Sequence, residues 1–207
     1  MYLMKPFLTY FFTLLMSVGF LACGQGTFIY DQQSADESAG GGGAQGIQAY
    51  QPIGQSFKPA LSLVGFVRLQ LFDVNSGNSN GATVHVNLRS NSVTGPVLAS
   101  TDAVFMPDGF GVGNGNRGYT NFLFSTPAPV TPGVTYYLQP VVQSGDAWAI
   151  VSYNYGYPGG SIFLQGATIP GIDLWFREGI VVPEPSSGLL FLFGSGAVAW
   201  RHRRRRG

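Results

Sequence analysis

The sequence predicts an all-β fold, an antiparallel β-sandwich or jelly roll, flanked by an N-terminal signal helix and a short C-terminal transmembrane helix. Three observations carry this expectation. Charged residues make up 10% of the 207 positions, against about a quarter in an ordinary globular chain. Aromatics reach 14%, while 30 Gly and 13 Pro cut the chain into short pieces. Between those breaks apolar and polar residues alternate at period two, the mark of a strand with one face buried. The chain is apolar enough to build a core, which excludes global disorder. With the ends set aside there is room for one domain of ordinary size.

Taken from the start, Met-Tyr-Leu-Met-Lys is followed by an apolar run from Pro6 to Ala22. A positive start, a hydrophobic stretch and small residues after it make a secretory signal peptide, assigned to 1–24. Ala22-Cys23-Gly24 offers small residues for cleavage before Gln25. Two rival readings stay open: a lipoprotein signal, Phe20-Leu21-Ala22-Cys23 with Cys23 acylated, and a retained membrane anchor. Cys23 is the single cysteine, so no intrachain disulfide can form and the fold must rest on its core.

The ectodomain is expected over 25–181. Phe28-Ile29-Tyr30 reads as a first strand, and the small, polar stretch Ser34–Gly43 reads as a mobile loop. Beyond it Val67, Leu69 and Leu71 face one way while Arg68 and Gln70 face the other. Thr83–Arg89 repeats the pattern with Val84, Val86 and Leu88 inward. Further strands are expected at Val97–Phe105, Tyr119–Ser125, Val134–Val142, Ala147–Tyr153, Ser161–Leu164 and Ile172–Val181. Turn chemistry separates them, as at Asn75-Ser76-Gly77, Thr131-Pro132-Gly133, Ser144-Gly145-Asp146 and Pro158-Gly159-Gly160. Short strands at such spacing fit a sandwich or jelly roll. No sustained helical stripe or fixed-period repeat interrupts them.

The end of the chain has three parts in order. Val182-Pro183-Glu184-Pro185 is followed by an apolar stretch, Ser186 to Trp200, and then by Arg201-His202-Arg203-Arg204-Arg205-Arg206. Those fifteen apolar-stretch residues span about 22 Å as a helix, short of a bilayer core near 30 Å. Trp200 nevertheless suits the interface, and Arg201, Arg203, Arg204, Arg205 and Arg206 act as retention charges under the positive-inside rule. The arrangement over 182–207 resembles the PEP-CTERM sorting signal of Gram-negative bacteria, with Pro183, Glu184 and Pro185 as the motif. The resemblance implies recognition by an exosortase, an integral-membrane cysteine transpeptidase, and removal of the tail. It implies signal peptidase and exosortase as partners during export, transient anchoring in the inner membrane, and a cell-surface or matrix destination in species that make exopolysaccharide or biofilm. The body also resembles other anchored bacterial ectodomains in Gln55-Ser56-Phe57, Pro132–Tyr137 and Asp173–Phe176.

Charge narrows the function. Between Gly24 and Val182 five basic residues stand against nine acidic ones, a net −4, which argues against a nucleic-acid partner. His85 is the one histidine outside the tail and falls mid-strand on a polar face, so neither a Ser-His-Asp triad nor a zinc site has its parts. Gly113-Asn114-Gly115-Asn116-Arg117-Gly118 matches G-x-G-x-x-G in letters, but a β-patterned segment follows where a dinucleotide site needs a helix. The expectation is therefore a non-enzymatic protein without a certain cofactor. Trp148, Tyr153, Tyr155, Tyr157 and Trp175 form an aromatic group that could stack on sugar rings, with Asn154 and Asp146 as polar neighbours; filling the core is the competing role for the same rings. Asp31 and Asp173 are a candidate pair for a structural Ca²⁺, as are Asp73 and Asn75 in their turn. Asp146, Asp173 and Glu178 are the carboxylates a secreted carbohydrate-active enzyme would use.

Overall fold

A computed structural model describes residues 26–39, 42–113 and 118–183. The expected signal peptide, Cys23, Glu184, Pro185, the apolar stretch, Trp200 and the tail arginines lie outside these residues. In chain order the strands are β1 (Thr27–Gln33), β2 (Gly43–Gly46), β3 (Gly54–Phe57), β4 (Leu63–Asp73) and β5 (Ala82–Ser90). They continue as β6 (Val97–Ser100), β7 (Val104–Met106), β8 (Tyr119–Pro129), β9 (Tyr136–Gly145) and β10 (Trp148–Tyr153). β11 (Ile162–Leu164), β12 (Ala167–Ile169), β13 (Asp173–Leu174) and β14 (Phe176–Val182) complete them. No helix occurs among the described residues, so none there is long and apolar enough to cross a membrane.

The strands form two seven-stranded sheets. The first runs β1-β14-β4-β10-β13, with β8 also on β4 and β2 also on β10; the second runs β12-β11-β3-β9-β5-β6, with β7 also on β5. Neighbouring strands pair antiparallel, as in β4 with β8 and β5 with β9. Both sheets turn apolar side chains into one cluster: Val67, Leu69, Leu71, Phe122, Trp148 and Phe176 from the first, Val84, Val86, Leu88 and Leu138 from the second. The alternation expected for β4 and β5 is what places them there.

Local chemistry explains where the strands depart from expectation. The single strand expected over Val97–Phe105 is two, because Thr101 takes over the ladder: its N–H donates to Val86 O at 3.0 Å and its hydroxyl accepts from Val86 N at 2.9 Å. β8 runs past Ser125 through Pro127 and Pro129. Prolines are tolerated there because β8 pairs with β4 alone, leaving an edge where missing donors cost no ladder bond. Gly145 holds φ +102° at the β9–β10 turn, against the Gly81 carbonyl, a conformation and a space that exclude a side chain. β2 and β12 carry no alternation and were not expected.

Candidate functional site

The segment expected as one strand over Ile172–Val181 changes partner midway. Tyr153 and Ser152 of β10 pair with Asp173 and Leu174, whereas Phe176 to Gly179 pair with β4. Trp175 lies at the transfer, its N–H donating to Val151 O at 2.8 Å. Leu174 and Phe176 enter the core. Trp175 therefore turns to the opposite face, where its ring packs on Tyr119 with centroids 4.6 Å apart.

Arg68 occupies the same outer face. Its guanidinium lies 5.4 Å from the Tyr119 ring centroid, Nη1 donates to Asn121 Oδ1 at 3.0 Å, and Nη2 pairs with Glu37 Oε1 at 2.6 Å. Trp175 Nε1 donates to Asp36 O at 3.2 Å and Tyr119 Oη to Glu37 O at 3.3 Å. Upstream, Ser34 Oγ donates to Leu174 O at 2.7 Å and accepts from Phe176 N at 3.0 Å. The Ser34–Gly43 stretch, expected as a mobile loop, is thus over Ser34–Glu37 a strap bonded to the sheet. Ser34 both donates to and accepts from the strands, while the Asp36 and Glu37 carbonyls accept from the rings.

Beside the strap Tyr153 and Tyr155 meet edge to face at 5.8 Å, and Tyr153 remains 51% exposed. Burial, and then the neighbouring Tyr119, pushes the Tyr155 hydroxyl up to about 12. Arg68 Nε, Gln70 Oε1 and Tyr155 Oη are buried without a hydrogen-bond partner among the described residues. Gln70 is on the Arg68 face of β4, opposite Tyr119 in register.

The five aromatic rings proposed from sequence do not form one platform. Trp148 is fully buried in the inter-sheet core, 5.8 Å from Phe110. Tyr157 also joins the core, edge-on to Phe176 at 5.2 Å, with its hydroxyl donating to Gln32 Oε1 at 3.1 Å. Trp175 is buried too, but beneath the strap on the outer face. Strand parity separates them, since Trp148 and Ile150 point inward and Tyr153 outward. Arg68, Gln70, Tyr119 and Asn121 join the site without having been singled out for it. Their signal was the polar face of β4 and the β8 pattern, which give direction but not pairing.

The acids each have their own surroundings. Asp31 Oδ2 accepts from the N–H groups of Ala60 and Leu61 at 2.8 and 2.9 Å. Asp173 accepts from Gln55 Nε2 at 3.1 Å and Tyr157 N at 3.0 Å. β1 passes β14 with Ser34 beside Phe176 and Ile29 beside Gly179. It runs antiparallel, which sets Asp31 beside Glu178, while Asp173 lies on β13. Asp73 caps its own turn, accepting from Asn75 N and Gly109 N at 2.9 Å each. Among the described residues no group of three His, Cys, Asp or Glu could hold a metal.

Asp146 is half-buried in the β9–β10 turn, its carboxyl held low by hydrogen bonds from Asn78, Ala147 and Asn75. Glu178, by contrast, is fully buried, and among the described residues neither carboxyl oxygen has a hydrogen-bond partner. Burial first, with the Asp31 carboxylate adding to it, pushes its pKa up to about 8. Asp173 is buried as well, so Asp146, Asp173 and Glu178 do not line a common open cleft. His85 is half-buried on β5, opposite Val141, and burial pulls its pKa down.

The fold is that of an all-β protein whose last strand runs directly into a sorting signal: β14 ends at Val182 and exposed Pro183 follows. The family model of the PEP-CTERM protein-sorting motif matches residues 181–206, and the chain is a PEP-CTERM sorting domain-containing protein. The motif implies export, transient sorting at the membrane, and exosortase as the processing partner. No curated protein matches the chain.

Proposed function

We propose that the chain is a cell-surface or extracellular-matrix protein whose ectodomain, 25–181, is a β-sandwich that binds exopolysaccharide without cleaving it. The observation that carries the proposal is the sorting motif placed directly behind the last strand of a β-domain. Signal peptidase removes residues 1–24, the short apolar stretch holds the body outside the inner membrane, and exosortase then releases it into the biofilm matrix. Tyr153 and Tyr155 supply the open stacking edge of the sugar site, and Arg68, Tyr119 and Trp175 continue it under the strap.

The non-catalytic reading is supported by the carboxylates. A glycosidase sets two of them about 5 to 10 Å apart across the scissile bond, both reaching substrate. Asp173 and Glu178 are buried, and Asp146 is tied to Asn75 of the β4–β5 connection and to Ala147 of its own turn. The test incubates the full chain with soluble polysaccharides and follows retention on the polymer and reducing ends together. Retention without new reducing ends is expected; reducing ends accumulating with time would overturn the reading in favour of a secreted carbohydrate-active enzyme.

A further inference from the structure

The outer face around Trp175 has an unusual composition for a surface closed by its own chain. Four aromatic rings and an arginine converge there, yet three of its polar atoms, Arg68 Nε, Gln70 Oε1 and Tyr155 Oη, have no hydrogen-bond partner among the described residues. A buried polar atom without a hydrogen bond is costly in a finished interior. The strap satisfies only part of the face. It offers one carboxylate, Glu37 to Arg68, and two carbonyl oxygens, Asp36 to Trp175 Nε1 and Glu37 to Tyr119 Oη.

That set of acceptors is a carboxylate flanked by neutral oxygens, presented against ring faces. We infer that the face formed by Arg68, Gln70, Tyr119, Tyr155 and Trp175 is a binding site for a uronic-acid-bearing saccharide, and that Asp36–Glu37 occupies it as an internal stand-in. The inference rests on the polysaccharide-binding reading and names the class of sugar. A uronate carboxylate replaces Glu37 on Arg68, whose planar fork also brings Nε into a two-point contact that the strap leaves unmade. Sugar oxygens replace the two carbonyls on Trp175 and Tyr119, and further hydroxyls reach Gln70 Oε1 and Tyr155 Oη. The C–H face of the ring lies on the aromatic surface, apolar on one side and polar at its edge.

The strap can yield because its hold on Arg68 is weak. Glu37 is 45% exposed at the ion pair, where water and salt screen the attraction. Lifting the strap also withdraws the Asp36 and Glu37 carboxylates from a body of net charge −4, so an anionic chain meets less repulsion.

The experiment measures binding of the purified full chain to polygalacturonate and to neutral dextran, for the wild type, Glu37→Ala and Arg68→Met. Glu37→Ala should tighten polygalacturonate binding by roughly fivefold, the effect of removing one exposed competing ion pair. Arg68→Met should abolish that preference, bringing polygalacturonate binding down to the level of dextran binding in the same variant. Polygalacturonate binding should also weaken steeply with added salt, a readout on the unmodified chain that does not depend on how well Arg68→Met folds. Polygalacturonate binding that is salt-independent and unchanged in Glu37→Ala would overturn the inference. Dextran binding equal to polygalacturonate binding in every variant would overturn the acidic preference and leave polysaccharide binding standing. Binding of neither polymer by any variant would overturn both.

Discussion

Gln55 and Asp173 join the two sheets through a buried hydrogen bond, Nε2 to Oδ1 at 3.1 Å. Gln55 lies on β3 of one sheet and Asp173 on β13 of the other. The same amide accepts from Leu174 N through Oε1 at 2.9 Å. One side chain thereby satisfies a carboxylate and a backbone donor that would otherwise be stranded in the core. This contact ties the last strands to the opposite sheet.

Gln55→Leu should consequently destabilise the domain although it adds apolar bulk. It leaves the Leu174 N–H without a partner and Asp173 with the Tyr157 N–H alone, a loss of roughly 2 to 4 kcal/mol. A urea denaturation midpoint falling with unchanged slope is the expected readout. An unchanged midpoint would mean that the staple contributes nothing net.

Glu178 makes stability depend on pH in a stated direction. Its folded pKa of about 8 lies above the ordinary glutamate value of 4.5, so the folded state holds the proton more tightly. The contribution is full below the unfolded pKa and is lost as pH rises through the folded one, at about 1.4 kcal/mol per pH unit between the two. Stability should fall by a few kcal/mol between pH 4.5 and 8. Glu178→Gln should flatten that fall and be the more stable protein at pH 8. Parallel profiles for the two proteins would contradict this.

The buried Trp148 and the exposed Tyr153 should separate cleanly on mutation. Trp148→Ala opens a cavity in the shared core and should cost roughly 3 to 5 kcal/mol. Tyr153→Ala, at a half-exposed position, should shift stability by no more than about 0.5 kcal/mol, while weakening retention on polysaccharide. Thermal unfolding and polymer retention measured on the same samples check both halves.

The period-two reading was sufficient for the sheets because their inner faces are continuous. Val67, Leu69 and Leu71 in β4 and Val84, Val86 and Leu88 in β5 lie where alternation puts them. It failed where side chains substitute for backbone, as at Thr101, or where a strand is too short and small to alternate, as in Gly43–Gly46. The site was legible in residue type but not in parity. Trp148 and Trp175 look alike in sequence, yet one fills the core and the other is covered by Asp36 from far upstream. That covering is a long-range pairing, and no local pattern reports it. Arg68 and Gln70 were visible as an outward face, but their place beside Tyr119 depends on the β4–β8 register.

The sorting of this β-domain is tested most directly by mass spectrometry of both termini of the protein recovered from the cell surface. The expected mature chain begins after the signal segment, at Gln25, and lacks everything beyond the Pro183-Glu184-Pro185 region. A mature form that still contains Trp200 and the tail arginines would contradict it.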